Sequence, residues 1–447
     1  MTALLDQTDL LDRAGRLVEA ARRAGADAAD AVSLRQVSLG VDVRLGKVEE
    51  TNRAEGDEFS LRVFVGKRNA SVSANVLADP AALAERAVAM ARAAPEDPYA
   101  GLAEADRLAT RFPELDILDE TMPAAESLTE AARATEDAAR AVKGVTNSGG
   151  GSAGWSLSGL VLATSHGFSG SYLTSRFGLS AMAIAGEGTA MERDYEGVTK
   201  THRADLPSPE WVGSEAGRRA VARLHPGKPA TGRGTVVYDP RISASLIGHL
   251  AGGVNGAAIA RKTSFLMKAL GTAILPPDVR VSDDPFRPRG LGSRPFDGEG
   301  VAAEPFALIE DGVLTRWLLD SATARELGLQ TNGRASRGGG NPSPGPTNLT
   351  LEPGAISPEE LIAEAGEGIY VTDLIGHGVN LITGDYSRGA AGFRIAGGKL
   401  AEPVSEITVA GSLRDMFRRL RAANDLEYRF ATNAPTVAIE GMTIAGR

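Results

Sequence analysis

The sequence predicts an α+β protein, in which an N-terminal antiparallel sheet covered by helices is followed by a strand-rich C-terminal domain. In the first third, the apolar pattern changes from helical spacing to alternation and back to helical spacing. The last third consists of short apolar runs separated by Gly and Pro, which is typical of strands and turns. The 447 residues, 43% of them hydrophobic, are enough for about two or three packed domains. We divide the chain into residues 1–150, 151–230 and 231–447.

The N-terminal part alternates between helix and strand patterns. Residues 4–24 carry apolar side chains at near-helical spacing, and Gly25 is a plausible stop. Residues 31–74 alternate apolar and polar residues between glycine turns, which predicts an antiparallel meander. Asp79 and Pro80 would start a helix that runs through Ala93, and an Ala-rich stretch over 123–142 predicts another. These helices would cover one face of the sheet.

The middle of the chain returns to strands. Two long strands are predicted over 156–164 and 171–184, joined by a turn at His166. The preceding triple glycine at 149–151 is either a domain boundary or a turn in a loop with close backbone contacts. A helix over 209–224 would then lead to a buried strand at 235–239.

Composition narrows the class of protein. A formal net charge of −9 and scattered basic residues argue against direct binding to nucleic acid. The densest basic group, Arg414, Arg418, Arg419 and Arg421, is interpreted as a solvated helix face. The N-terminus has acids where a signal peptide has bases, and no apolar run reaches the roughly eighteen residues of a membrane span. We therefore expect a cytoplasmic protein that does not bind membranes.

The segment from Tyr238 to Phe265 has a helical pattern and no cluster of zinc ligands. Zinc needs about three or four nitrogen, sulfur or carboxylate ligands, and a hydrolytic site also needs a general base. The chain has no cysteine and five histidines, each more than twenty residues from the next, so no two share a turn of helix. The sequence therefore predicts no metal site and no catalytic residue in this chain.

This segment resembles the zinc-motif helix of the TldD/PmbA family. In the TldD subunit of that family the helix carries His-Glu-x-x-x-His. Aligned on Gly256 and the run 261–264, the two histidines fall on Ile247 and Gly252 and the glutamate on Gly248, with His249 one step out of register. TldD also has a cysteine in a Gly-rich loop near its C-terminus, and the comparable tail here has none.

The resemblance runs from about residue 35 to the C-terminus. It is strongest at residues 338–354, 378–393 and 403–411. The pattern is similar to that of the TldE (PmbA) type of subunit, which has no zinc of its own.

The resemblance implies a partner and a role. The partner would be a TldD-like zinc peptidase subunit in a heterodimer, with zinc bound in that subunit only. This chain would be inactive alone, close the chamber and help to hold an unfolded peptide substrate, and an older family label, modulator of DNA gyrase, would describe an indirect effect. The isolated chain could form a homodimer. Residues expected to contact the peptide or the partner are His249, Arg261, Lys262, Asn341, Asp385, Tyr386 and Arg388.

Other interpretations stay open. The chain could be a free-standing homodimeric peptide-binding protein without a peptidase partner. It could instead be an independent hydrolase that uses Asp283, Asp284 or Asp297, although the Asp283-Asp284-Pro285 run is interpreted as a solvated turn. A metal site assembled from His249, His377 and Asp385 is a further alternative.

Overall fold

The N-terminal half is built on one six-stranded antiparallel sheet. The computed structural model describes residues 5–75 and 79–446. The strands lie in the order β3-β2-β1-β4-β5-β6. They are β1 Ala28–Arg44, β2 Lys47–Val65, β3 Arg68–Asn75, β4 Val145–Thr164, β5 Ser169–Ala185 and β6 Glu192–Lys200. The predicted meander and the predicted pair of long central strands are therefore confirmed as parts of a single sheet.

Four helices lie on one face of this sheet, as predicted. They are α1 Thr8–Arg23, α2 Pro80–Ala93, α3 Ala125–Ala141 and α4 Pro209–Ala222. Helix α1 buries Leu17, Val18 and Ala21, as its spacing predicted, and also Leu10 and Ala14, which the prediction did not include. Leu4, the start of the predicted helix, lies outside the described residues. Helix α2 begins where its cap predicted, because the Asp79 carboxylate accepts hydrogen bonds from the amides of Ala81 and Ala82.

The triple glycine at 149–151 lies inside strand β4. The sheet is therefore continuous across the predicted boundary at residue 150, and a separate sheet begins only at β7. The physical reason is contact with helix α3. A Cβ added at Gly151 would lie 2.4 Å from the carbonyl oxygen of Ala132, so the strand needs glycine where the helix backbone crosses it.

The C-terminal half contains a sheet that closes on itself. Strand β14 pairs with β7 on one side and with β16 on the other, which completes a ring of β7, β20, β17, β16 and β14. Strands β15 and β18 pair with this ring at β16 and β20. The strands are β7 Gly232–Tyr238, β14 Gly368–Ile375, β15 Val379–Asn380, β16 Asp385–Ala396, β17 Lys399–Ser412, β18 Leu420–Ala422 and β20 Val437–Ala445. The predicted strand-rich C-terminal domain is confirmed.

A second, five-stranded sheet and five helices complete this half. The sheet runs in the order β10-β9-β8-β13-β19, and β11 pairs with β12 separately. These strands are β8 Val281–Asp283, β9 Phe306–Glu310, β10 Val313–Leu314, β11 Ala335–Ser336, β12 Ser343–Pro344, β13 Leu349–Leu351 and β19 Thr432–Asn433. The helices are α5 Pro240–Gly253, α6 Gly256–Ala260, α7 Ser321–Glu326, α8 Pro358–Ala365 and α9 Leu413–Arg418.

Buried charges join the two halves. Asp30 on β1 accepts hydrogen bonds from Arg62 on β2 and from Arg337, at 2.5 and 2.6 Å. The two guanidinium groups hold the pKa of Asp30 below its ordinary value even though burial acts in the opposite direction. Glu299 lies 3.9 Å from Arg62 and is also buried. The interface between the halves is thus partly ionic.

Candidate functional site

The helix that resembles a zinc-binding helix is α5, and it follows strand β7 directly. Its N-cap is Asp239, whose carboxylate accepts a hydrogen bond from the amide of Arg241 at 2.9 Å, and Pro240 occupies the first turn. Leu246 and Leu250 are fully buried in the main C-terminal core. Local capping and the apolar stripe together fix which face of α5 points into the protein.

The three positions that correspond to the metal motif lie in different surroundings. Ile247 is fully buried in the core. Gly248 is exposed, and an added Cβ would meet nothing within 4 Å. Gly252 lies under Leu381, whose Cδ1 would be 2.7 Å from an added Cβ. None of these side chains carries a donor atom for a metal ion.

His249 follows Gly248 on α5 and lies beside strand β16. Its ring meets the ring of Tyr386 edge to face, with centroids 6.1 Å apart. The Nε2 atom is buried and forms no hydrogen bond within the described chain. Burial, and then the charge of Arg388, lower the pKa of His249 below its ordinary value of 6.5, so the imidazole is neutral near neutral pH.

Tyr386 and Arg388 approach His249 because alternate residues of β16 share one face. Tyr386 is buried, and its hydroxyl lies beside the hydroxyl of Tyr238. Burial raises the pKa of this phenol. Arg388 donates hydrogen bonds to the carbonyl oxygens of Ile375 and Leu374, at 3.3 and 3.4 Å. The structure therefore brings together three of the seven predicted contact residues.

This cluster does not fit a zinc ion. Within residues 5–75 and 79–446, no group of three or more His, Asp or Glu side chains is placed to hold a metal. The only donor among the positions 247, 248, 249 and 252 of α5 is one imidazole, and its neighbours are a phenol and a guanidinium. Zinc needs three or four ligands, and a guanidinium repels a cation. A reaction step through zinc cannot be assigned to these residues.

A cleft of about 680 Å³ lies next to the cluster, between the two halves of the molecule. Arg388 forms part of its wall, together with residues 373–377, which include His377. The opposite wall comes from the start of β6 and from helix α4. Its lining comprises Ile184, Met191, Glu192, Arg193, Arg223, Asp373, Leu374, Ile375, Gly376, His377 and Arg388.

Ion pairs hold the two walls of the cleft together. Arg223, the C-cap residue of α4, lies 3.5 Å from Asp194 on β6 and 3.4 Å from Asp373 on β14. Arg241 on α5 contacts Asp194 at 3.1 Å. Burial raises the pKa of Glu192 at the same wall. Sequence reasoning missed these arginines, because their partners are up to 150 residues away and no local pattern marks them.

The other predicted contact residues lie outside the cluster. Asp385 points to the opposite face of β16, and its carboxylate accepts a hydrogen bond from Thr383 at 2.6 Å. Asn341 accepts a hydrogen bond from Ser71 of the N-terminal sheet at 2.8 Å, which ties the Gly- and Pro-rich segment to β3. Arg261 and Lys262 are exposed where α6 ends, and Lys262 has a φ of +59°.

The three aspartates considered for an independent hydrolase site, Asp283, Asp284 and Asp297, all accept structural hydrogen bonds. Asp283 is fully buried, so the prediction of a solvated turn was wrong for this residue, which ends strand β8. It pairs with the fully buried Arg334 and accepts hydrogen bonds from Thr347. Asp284 accepts from the amide of Phe286, and Asp297 accepts three backbone amides. These contacts do not resemble a pair of carboxylates that faces a substrate.

Comparison with known families and proteins identifies the family to which this chain belongs. Residues 29–91, 119–224 and 231–446 match the models for domain 1, the central domain and the C-terminal domain of the PmbA/TldA metallopeptidases. The metalloprotease PmbA of Escherichia coli O157:H7 is 38% identical over 427 residues, covering 94% of this chain and 93% of its own. The chain belongs to the PmbA/TldD family. A PmbA homologue from Haemophilus influenzae is 35% identical over 454 residues and covers 100% of this chain and 98% of its own.

Solved PmbA/TldD structures share the same architecture. A Bacteroides thetaiotaomicron protein, described as a proposed modulator of DNA gyrase, is 27% identical and aligns with a TM-score of 0.90, covering 99% of each chain. TldE from Thermococcus kodakarensis is 19% identical and aligns with a TM-score of 0.86, covering 97% of this chain and 99% of its own. The predicted PmbA/TldD-like fold is therefore confirmed, and the predicted PmbA type agrees with the 38% identity to PmbA.

One further property concerns membranes. Across the described parts of this PmbA/TldD-family chain, none of the helices combines the length and the apolar character needed to cross a bilayer.

Proposed function

We propose that this chain is the non-catalytic TldE/PmbA-like subunit of a zinc peptidase, whose metal and catalytic groups reside in a TldD-like partner. The observation that carries the proposal is the donor set of helix α5. Ile247, Gly248 and Gly252 stand where the TldD motif has its ligands and its glutamate, and Ile247 is buried in the core. Peptide hydrolysis by zinc needs those ligands and an open position for water.

In this proposal, the His249 cluster has a structural role beside the cleft. Of the imidazole, the buried phenol and the guanidinium bound to backbone carbonyls, only the neutral imidazole can act as a base near neutral pH, and its Nε2 is buried away from water. Arg388 instead fixes the turn that follows Leu374 and thus the shape of the cleft wall. The cluster would keep this wall rigid when the partner closes over it.

The cleft supports a role in holding a peptide. Its 680 Å³ would accommodate several residues of an extended chain. Ile375 and Met191 expose apolar surface at its two walls. Arg193 and His377 are exposed beside them and can meet carbonyl or carboxylate oxygens. Such a mixed surface suits unfolded peptides of varied sequence better than one small substrate.

The test measures bound zinc and peptide cleavage for this chain alone, for the TldD homologue of the same genome alone, and for their mixture. An unfolded peptide serves as substrate. We expect cleavage and stoichiometric zinc in the mixture, no zinc on this chain alone, and a stable complex in size-exclusion chromatography. Zinc-dependent cleavage by this chain alone would overturn the proposal.

The same samples discriminate the alternative of a free-standing peptide-binding protein. That alternative expects a homodimer that binds the peptide and neither associates with the homologue nor changes its activity. A charge reversal in the cleft, Arg193→Glu, should weaken peptide retention in the mixture, whereas Lys399→Glu, on an exposed hairpin, should not.

A further inference from the structure

A small pocket with a cationic rim lies on the far side of the loop that covers helix α5. We call it the basic pocket. Its volume is about 220 Å³, and it is formed by residues 265–274 together with helix α9. The amide of Phe265 donates a hydrogen bond to the carbonyl of Leu381, which connects the pocket to the loop over Gly252. The basic pocket shares no lining residue with the cleft described above.

The floor of the basic pocket is apolar. Phe265, Leu266, Ile274 and Phe417 line it, and all four side chains are buried in the main core. The rings of Phe265 and Phe417 lie 6.2 Å apart and tilted. The pocket is smaller than the 300–1,000 Å³ typical of sites for drug-sized ligands, so it suits one large apolar side chain.

Three cations form the rim: Lys268, Arg414 and Arg418. Arg414 and Arg418 are four residues apart on α9, so they share one face of the helix. Arg414 donates to the carbonyl oxygen of Phe265 at 2.6 Å and is thereby fixed over the pocket. Among the described residues, none of the three cations forms an ion pair. Asp415, the nearest acid in sequence, lines a different pocket with Arg233 and Arg419.

Such a concentration of unpaired positive charge is unusual in a chain with a net charge of −9. Like charges at this spacing repel each other and do not stabilise the helix. An anionic ligand would remove that repulsion. A cationic rim around an apolar floor therefore has the complementary chemistry for a carboxylate-bearing ligand with an apolar anchor.

We propose that the basic pocket binds an acidic polypeptide segment by one large apolar side chain flanked by carboxylates. Nucleic acid fits less well, because the two phenylalanine rings are buried and offer no face on which a base can stack. An anionic membrane fits less well because the apolar surface is concave and takes one side chain, although Met267 and Leu270 are exposed on the same segment. The proposal concerns this chain alone and does not depend on a peptidase partner.

The experiment measures fluorescence anisotropy of a labelled peptide, a central phenylalanine flanked by glutamates, on the full-length chain. Two control peptides replace the phenylalanine by serine or the glutamates by glutamines. We expect the parent peptide to bind, each control to bind about tenfold more weakly, and salt to weaken binding. The protein variant K268E/R418E should bind the parent peptide about tenfold or more weakly than the unsubstituted protein does. The matched exposed variant K399E should bind it as tightly as the unsubstituted protein.

Thermal unfolding of each variant checks that it is folded, since all three substituted side chains are exposed. Equal affinity of K268E/R418E and the unsubstituted protein for the parent peptide would overturn the proposal. Equal binding of the parent peptide and the control peptide with serine in place of phenylalanine would also overturn it. Binding to anionic vesicles that K268E/R418E abolishes, without binding to the peptide, would also overturn it in favour of a membrane surface.

Discussion

Two buried polar clusters of the C-terminal half differ in how completely their groups are paired. Around Asp283, the carboxylate meets Arg334 and both donors of Thr347, and Arg334 also donates to the carbonyl of Glu304 at 2.7 Å. Around His249, the imidazole Nε2 is buried without a partner in the described chain, and the hydroxyl of Tyr386 faces another neutral hydroxyl, that of Tyr238. The first cluster holds loops together. The second lies where the family's metal motif would be and leaves the imidazole nitrogen unpaired.

The largest expected effect comes from the fully paired cluster. Arg334→Met leaves Asp283 charged, buried and short of its main partner, so the free energy of unfolding should fall by about 3–5 kcal/mol. Chemical denaturation measures it. The matched control is Arg280→Met, which removes the exposed ion pair with Glu310 and should cost about 0–1 kcal/mol. Equal losses for the two variants would contradict the comparison.

A second effect concerns the buried carboxylate of Glu299. Burial, and then the charge of Asp297, raise its pKa from 4.5 to about 7. The folded state therefore binds a proton that the unfolded state releases, and stability is lost as pH rises from about 4.5 to about 7. Asp30, whose pKa is lowered, acts only below this window. The loss should be on the order of 3 kcal/mol.

Urea denaturation across this pH window tests the prediction for Glu299. The variant Glu299→Gln should show a much smaller loss than the parent protein. Glu310→Gln, at an exposed ion pair, should follow the parent. A parent protein whose stability does not fall between about pH 5 and pH 7, relative to Glu299→Gln, would show that Glu299 is ionised throughout.

A smaller effect separates the half-buried Tyr370 from the buried Tyr386. The hydroxyl of Tyr370 donates to the Asp239 carboxylate at 2.9 Å, so Tyr370→Phe should cost about 1.5–3 kcal/mol. Tyr386→Phe removes a hydroxyl that interacts only with neutral groups such as the Tyr238 hydroxyl, so it should cost less, about 0.5–1.5 kcal/mol. Thermal unfolding of both variants measures the two losses. A loss for Tyr386→Phe as large as that for Tyr370→Phe would contradict the comparison.

The smallest effect concerns the imidazole itself. In an NMR titration, His249 should have a pKa below 6.5, because it is largely buried and lies near Arg388. Arg388→Gln removes the positive charge and should raise that pKa towards its ordinary value. Lys399→Gln should leave it unchanged. A pKa of His249 above 6.5 would place an unpredicted anion beside the ring.

Sequence reasoning worked where the signal was local. Helix α1, the β1–β3 meander and the cap at Asp79 were predicted because side-chain periodicity and capping act within a few residues. For the triple glycine the sequence left open a domain boundary or close backbone contacts, because the backbone of α3 that crosses β4 belongs to a distant segment. The same holds for Asp283, which looked like a turn residue until Arg334 was found opposite it.

The fold class, the family resemblance and the donor-poor metal motif could be predicted without coordinates, since each depends on residue identity and short-range spacing. The folded chain was needed to show that β14 closes the C-terminal strands into a ring, that His249 meets Tyr386 and Arg388 but not Asp385, and that three cations surround an apolar pocket. These relations join residues that lie far apart in the chain. Long-range packing creates these relations, and no local sequence pattern encodes that packing.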